Sequence, residues 1–294
     1  MERGKQELEA PFRTVAEAVE WGARHLREGT RCEVRGEPVP GTEDLFRREA
    51  RWLLEAAAVS AGRDPTFLRL PELTQRVAAV FRSSIARRAR GEPLAYVLGT
   101  ANFRGLDLEV TPDVLIPRPE TEELVSIALE FLESVRTPRI LDQGTGCGAI
   151  AIALAVERPD ARITGIDISP SALAIAERNA RRHGVTKRVR FIEADLFPQE
   201  AESFDLIVGN LPYVSDTEEL PSEVELWEPP GALRGGAKGT EIICRALART
   251  GEFLTKNGRF LYEIGEGQHK IFGPRYSYRR DAAGRIRFLW GGCG

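Results

Sequence analysis

Between Phe12 and Arg90, apolar residues recur at helical spacing in Val15-Val19-Leu26, Leu45-Trp52-Leu53-Ala56 and Val77-Val80-Phe81-Ile85. This is the pattern of helices that each bury one face. Gly29, the Gly36 to Gly41 stretch, Gly62 to Pro65 and Pro71 separate them, so residues 1–91 are predicted to form a small helical bundle domain. Gly91-Glu92-Pro93 marks its end. From Leu94 to Val110, β-rich segments flank a turn at Asn102 to Gly105, which predicts a β-hairpin within a linker over residues 92–116.

A third region, residues 117–294, opens on Pro117-Arg118-Pro119-Glu120-Thr121-Glu122-Glu123-Leu124, where prolines set a helix entry and acids occupy its first turn. After Pro138, short apolar runs at Arg139 to Asp142, Arg162 to Asp167, Val189 to Glu193, Phe204 to Gly209 and Arg259 to Ile264 alternate with helical stretches. One helix runs from Ala149 to Glu157. Another starts at Ser169, with Ser as cap and Pro170 in the first helical position. Arg275 to Arg280 and Arg285 to Trp290 make a terminal strand pair. Such βαβ alternation predicts an α/β domain whose mostly parallel sheet is covered on both faces. Its ligands belong beyond the carboxyl ends of the strands, where the strand order reverses.

Composition adds bounds. The chain has 294 residues, 42% hydrophobic and 29% charged, which suits a globular protein with a sizeable core rather than a disordered or fibrous one. No run approaches the roughly 20 apolar residues that span a bilayer, and the N-terminal segment is polar. A cytoplasmic protein that does not engage the membrane is therefore expected. Cys32, Cys147, Cys244 and Cys293 lie far apart, as do His25, His183 and His269, so free thiols, no metal site and no histidine base are expected. Residues 1–90 carry 17 Lys and Arg against 14 Asp and Glu, and the rest 24 against 30. The basic excess includes Arg76, Arg82, Arg87, Arg88 and Arg90, a solvated face or a surface for an acidic partner.

The loop Asp142-Gln143-Gly144-Thr145-Gly146-Cys147-Gly148 leads from the first strand of this domain into a helix, and its glycines let backbone approach a ligand. The spacing G-x-G-x-G behind an acid differs from the G-x-G-x-x-G that cradles a pyrophosphate. A nucleoside bearing an amino acid fits better. Asp167, ending the next strand, can accept both ribose hydroxyls. Asp195 can take the adenine amino group, with Leu196 against the ring. Together they imply S-adenosyl-L-methionine as cofactor, with NAD a distant second.

The strand from Phe204 to Gly209 delivers Asn210-Leu211-Pro212-Tyr213 to the same edge. An amide nitrogen is a poor nucleophile because its lone pair is delocalised into the carbonyl. A catalyst must favour the pyramidal nitrogen of the transition state, and two fixed acceptors aimed at its N–H bonds do so without an ionised base. The Asn210 side-chain oxygen and the Leu211 carbonyl are the candidates. Pro212 stiffens the loop, and the Tyr213 ring can pack on a flat acceptor group. The tetrapeptide by itself specifies only a planar N–H₂ acceptor. Cys147 lies in the cofactor loop and is no candidate nucleophile.

These segments resemble the HemK-type peptide chain release factor N5-glutamine methyltransferases over nearly the whole chain. The likeness rests on the helical N-terminal region, Ile116 to Glu122, Asp142 to Gly148, Asp167, Asn210 to Tyr213 and Glu228-Pro229-Pro230-Gly231-Ala232-Leu233. The second and last of these are its most specific parts. The resemblance implies a class I methyltransferase fold, Rossmann-like with a seven-stranded sheet. It also implies methylation at N5 of the glutamine in the Gly-Gly-Gln motif of release factors, which the N-terminal domain recognises. It carries cofactor binding onto Gly144, Thr145, Gly146, Cys147, Gly148, Asp167, Asp195, Leu196, Asn210 and Thr121, and substrate binding onto Asn210, Leu211, Pro212 and Tyr213. The expected partner is a release factor, without direct nucleic acid binding, and the chain is expected to be a monomer.

Two departures stand out. Leu211 replaces the first proline of the motif, which keeps a carbonyl and loses rigidity. The segment between Gln268 and Asp281 is shortened, with Pro274-Arg275-Tyr276 where a helix ordinarily precedes the sixth strand. Two other readings remain open: an exocyclic-amine methyltransferase on DNA or RNA, since a base amine offers the same planar N–H₂, and a non-catalytic release-factor-binding homologue.

Overall fold

A computed structural model describes residues 12–31, 42–63, 73–200 and 202–292. The chain divides into two compact units, residues 1–99 with 222–227, and residues 100–221 with 228–294.

The first unit contains α1 (Val15–Arg31), α2 (Thr42–Ser60), α3 (Gln75–Arg88), α4 (Leu94–Leu98) and, from later in the chain, α8 (Ser222–Trp227). Leu26, Leu53, Leu54, Val77, Phe81 and Ile85 form its core. Gly22 lets α1 approach closely, because a Cβ there would lie 2.8 Å from Phe81 Cζ. The apolar face expected for α2 is set differently. Leu45 and Trp52 are 37% and 42% exposed, whereas Leu53 is buried as expected and Leu54, Ala57 and Ala58 are buried with it. Arg88 links α3 to α2 and α8, reaching Glu49 at 2.9 Å and Glu223 at 3.1 Å. The segment from Leu94, expected as strand, is a one-turn helix between Pro93 and a left-handed Gly99.

The second unit opens with a hairpin, β1 (Thr100–Phe103) and β2 (Leu106–Glu109), which turns at Arg104 and Gly105. Then come α5 (Pro119–Phe131), β3 (Arg139–Gln143), α6 (Ala149–Glu157), β4 (Arg162–Asp167), α7 (Pro170–Arg182), β5 (Val189–Glu193) and β6 (Phe204–Gly209). After them follow α9 (Pro230–Leu233), α10 (Glu241–Phe253), β7 (Leu254–Glu263), α11 (His269–Phe272), β8 (Ser277–Arg280) and β9 (Ile286–Gly292). Ser169 caps α7 by accepting from Ala172 N, and Pro119 and Pro170 each sit in the first turn of their helix. Strand β7 starts five residues before the expected Arg259, directly after α10.

Seven strands form one sheet in the order β5-β4-β3-β6-β7-β9-β8. Pairs β5–β4, β4–β3, β3–β6 and β6–β7 are parallel, while β7–β9 and β9–β8 are antiparallel. This is the class I methyltransferase architecture. The shortened 268–281 segment still holds a one-turn helix, α11, before β8. Leu141, Ile207, Tyr262 and Leu289 of the sheet pack with Ile243, Ala246 and Phe253 of α10. Among the described residues, no helix is long and apolar enough to cross a membrane.

Topology places the site. From β3 the chain steps outward to β4 and β5, then returns to lay β6 on the other flank of β3. The order reverses between β3 and β6, so the loops leaving these two strands border one crevice.

Candidate functional site

The first of those loops is built from Gly144, Gly146 and Gly148, whose φ angles of 66°, 55° and 85° are left-handed and favour residues without a Cβ. Its fold is tied at several points. Thr145 N donates to Ile166 O at 2.9 Å, Gly146 N to Asp167 Oδ2 at 2.9 Å, and Gly148 N to Thr145 O at 2.8 Å. Asp142 beneath is fully buried and accepts from Thr145 Oγ1 at 2.6 Å and Ala151 N at 3.2 Å through one oxygen. Its other oxygen, Oδ1, is buried without a partner. Burial pushes the Asp142 carboxyl up to about 7 and the Cys147 thiol up to about 12. Cys147 is accordingly a neutral thiol at ordinary pH.

Asn179, absent from the sequence expectations, secures the loop from behind. It is buried on α7, and its side chain accepts from Glu109 N at 2.7 Å and donates to Glu109 O at 3.0 Å and Cys147 O at 2.9 Å. Three of the four hydrogen-bonding capacities of its amide are used to join β2 to the glycine loop.

Asp167 turns Oδ1 to Ser169 N at 3.0 Å, so the same carboxylate supports the glycine loop and the start of α7. Leu196 is the one non-glycine site residue with a left-handed backbone, φ 65°. A buried chain holds it there: Tyr262 Oη donates to Gln143 Oε1 at 2.7 Å, and Gln143 Nε2 donates to the Leu196 carbonyl. Asp195 is ion-paired with Arg245 and its side chain is 59% exposed.

The second loop starts at Asn210. Gly209 pairs with Tyr262 in β7, which puts Asn210 in step with Glu263. Asn210 Nδ2 donates to Thr121 Oγ1 at 2.9 Å, and Thr121 Oγ1 donates to Glu263 Oε2 at 2.8 Å. Glu263 Oε1 accepts from Tyr213 Oη at 3.0 Å and Arg287 Nη2 at 3.3 Å. Burial raises the Glu263 carboxyl above its ordinary range, opposed by Thr121, Arg287 and Tyr213. Burial likewise raises the Tyr213 phenol, which stays neutral. The Arg287 guanidinium lies 5.3 Å from the centre of the Tyr213 ring.

Leu211 supplies rigidity in a way its place in the motif did not suggest. Its side chain is 2% exposed and packs over Gly144, where a Cβ would meet Leu211 Cδ2 at 3.1 Å. Gln268 clamps the loop from the other side, donating to Tyr213 O at 2.7 Å and Gly239 O at 3.2 Å. Gly239 must lack a Cβ, which would fall 2.2 Å from Tyr213 O.

A cavity of about 360 Å³ lies between these loops, large enough for a nucleoside-sized ligand. Gly144, Thr145, Gly146 and Cys147 line it on one side, and Asp167, Asp195 and Leu196 on another. Thr121, Asn210, Leu211 and Pro212 line it as well, as do Pro117 and Pro229. Gly148 and Tyr213 stand outside the lining: Gly148 caps α6 against Ile152 and Ala176, and Tyr213 serves Glu263. Thr121, expected near the cofactor, borders the cavity while its hydroxyl is spent on Glu263 and Asn210. The donor set fits a nucleoside carrying an amino acid. Asp167 offers a carboxylate at a strand end, and the space before Gly146 holds nothing nearer than Gly144 O at 4.0 Å.

Of the other expected residues, Cys147 and Cys244 are free thiols, and Cys32 and Cys293 lie outside the described residues. His25 and His183 bond backbone carbonyls of Trp21 and Asp107.

Residues 42–99 match the family model described as PrmC N-terminal domain, and residues 136–271 the one described as Methyltransferase domain. The release factor glutamine methyltransferase of Geobacter sulfurreducens is 39% identical over 259 residues, covering 87% of this chain and 85% of that protein. That of Cereibacter sphaeroides is 40% identical over 261 residues, covering 85% and 91%. Among solved structures, the hMettl16 catalytic domain in complex with a MAT2A 3'UTR hairpin superposes with TM-score 0.51 at 15% identity, over 72% of this chain and 81% to 82% of that one. At that identity the likeness speaks to the fold alone. With relatives of this closeness matching both the helical unit and the sheet, the chain belongs to the release factor glutamine methyltransferase family.

Proposed function

We propose that this chain methylates the side-chain amide nitrogen (N5) of the glutamine in the Gly-Gly-Gln motif of a peptide chain release factor, with S-adenosyl-L-methionine as donor. The family supports the substrate class, and residues 1–91 are read as the part that recognises the factor. The protein would then be a cytoplasmic enzyme of translation termination. The observation that carries the chemistry is Asn210, at the carboxyl end of β6 beside the glycine loop of β3, with its amide nitrogen committed to Thr121.

The cofactor supplies an electrophilic sulfonium methyl. The glycine loop offers backbone to its amino-acid part, Asp167 holds the ribose hydroxyls, and Asp195 and Leu196 receive the adenine. Asn210 Oδ1 and the Leu211 carbonyl accept the two N–H bonds of the glutamine amide. As the nitrogen becomes pyramidal these acceptors stabilise the growing positive charge, because they are fixed before the reaction begins. Leu211, anchored by burial, and Pro212 keep them in place. Tyr213 is a neutral phenol and Glu263 is already bound by three donors. The proton lost by the methylated nitrogen therefore passes to water.

Incubation with labelled S-adenosyl-L-methionine, purified release factor and nucleic acid, followed by mass mapping, tests this. Label on the Gly-Gly-Gln glutamine is expected. A methylated base beside an unmodified release factor would overturn it.

A further inference from the structure

We infer that Glu263 is a positioning residue for Asn210, acting through the Thr121 hydroxyl to set which end of the Asn210 amide faces the acceptor nitrogen. This rests on the reading of Asn210 as the residue that holds the glutamine amide. Glu263 is fully buried at the end of β7, 142 residues from Thr121 in sequence. Both its oxygens accept: Oε2 from Thr121, Oε1 from Tyr213 and Arg287.

The direction of the hydrogen bonds follows. A hydroxyl has one proton. Faced by three donors, Glu263 accepts at both oxygens and takes the Thr121 proton, so Thr121 Oγ1 presents lone pairs to Asn210. Only Nδ2 can answer, which leaves Oδ1 for the substrate. The carboxylate thereby dictates amide polarity two hydrogen bonds away. Reversal would present an N–H₂ to an N–H₂ and remove one of the two acceptors the chemistry needs.

Glu263→Gln reverses it. Tyr213 and Arg287 both donate, so the Gln oxygen must face them and its Nε2 must face Thr121. Thr121 then accepts, sends its proton to Asn210, and the amide turns over. Thr121→Val breaks the relay without altering side-chain shape, and Thr121→Ser keeps it.

The test combines kinetics on release factor, calorimetric cofactor affinity and the side-chain amide resonance of Asn210, assigned by its loss in Asn210→Ala. Glu263→Gln and Thr121→Val should each lower kcat roughly tenfold or more, the scale of lost supporting contacts to a site group, with cofactor Kd nearly unchanged. Thr121→Ser should stay near wild type. The double variant should be no worse than the poorer single, because both cut one relay. The Asn210 resonance should move in Thr121→Val and Glu263→Gln and hold in Thr121→Ser. An unmoved resonance in Thr121→Val, or Thr121→Ser as damaged as Thr121→Val, overturns the inference whether or not the wild type methylates. A moved resonance in a wild-type background that leaves release factor unmodified upholds the relay and sinks the methyl-transfer reading instead.

Discussion

Arg118 and Glu228, 110 residues apart, form an ion pair in which Arg118 Nη2 donates to Glu228 Oε1 at 2.5 Å. The Glu228 side chain is 2% exposed, and its second oxygen accepts from Ile116 N at 3.2 Å. The two sequence segments most specific to the family thus meet in one contact, which sets the entry to α5 and hence the position of Thr121. Removing Arg118 would leave a buried carboxylate with one weak partner. Because Arg118 is 31% exposed, the cost of Arg118→Ala is about 1–3 kcal/mol, below the 3–5 of a fully buried pair. Denaturant unfolding checks this, and Arg118→Leu with Glu228→Gln should recover part of the loss. Arg118→Ala within about 0.5 kcal/mol of wild type would show that water replaces the guanidinium.

Asn210 and Asp167 should separate kinetically. Asn210→Ala removes a preorganised acceptor, so kcat should fall roughly 100-fold or more with cofactor Kd little changed. Asp167→Ala removes the proposed ribose acceptor and frees Gly146 N and Ser169 N. Its cofactor Kd should rise while the saturated rate changes less. Equal losses of binding and turnover in Asn210→Ala would place that side chain on the cofactor.

The buried Asp142 carboxyl predicts a pH dependence of stability without ligand. Its folded pKa, pushed up to about 7 by burial, lies above the unfolded value of roughly 3.9. The folded state binds the proton more tightly, so stability falls as pH rises from about 4 to about 7, by up to about 1.4 kcal/mol per pH unit, and is flat above. Asp142→Asn keeps an oxygen for Thr145 and Ala151 and cannot ionise. Its stability should gain on wild type across that window in denaturant titrations at several pH values. Parallel curves would show that Asp142 is not the group responsible.

Leu211 departs from the family motif, and its burial gives that departure a measurable consequence. Leu211→Ala empties a site that is 2% exposed, which costs about 2–4 kcal/mol and loosens the loop bearing Asn210. Both unfolding free energy and kcat should drop. A variant that loses stability but keeps full kcat would show that Pro212 and Gln268 suffice to hold the loop.

By itself the sequence determined the parallel strands, because each is a short apolar run bounded by caps and turns: β4, β5 and β6 begin and end where the pattern predicts. It also placed the glycine loop, Asp167 and Asn210 at the ends of β3, β4 and β6, where the structure has them lining one cavity. Periodicity failed where only packing decides. Leu45 and Trp52 share the spacing of a core face yet are exposed, and five residues between Pro93 and Gly99 are too few to distinguish helix from strand. Asn179, Glu263, Gln268 and Arg287 gave no local sign of their roles. A buried polar side chain takes its function from the partner that satisfies it. Apart from Gly265 N, which lies three residues from Gln268, those partners lie 24 to 142 residues away along the chain, so the path of the backbone through the sheet brings them together.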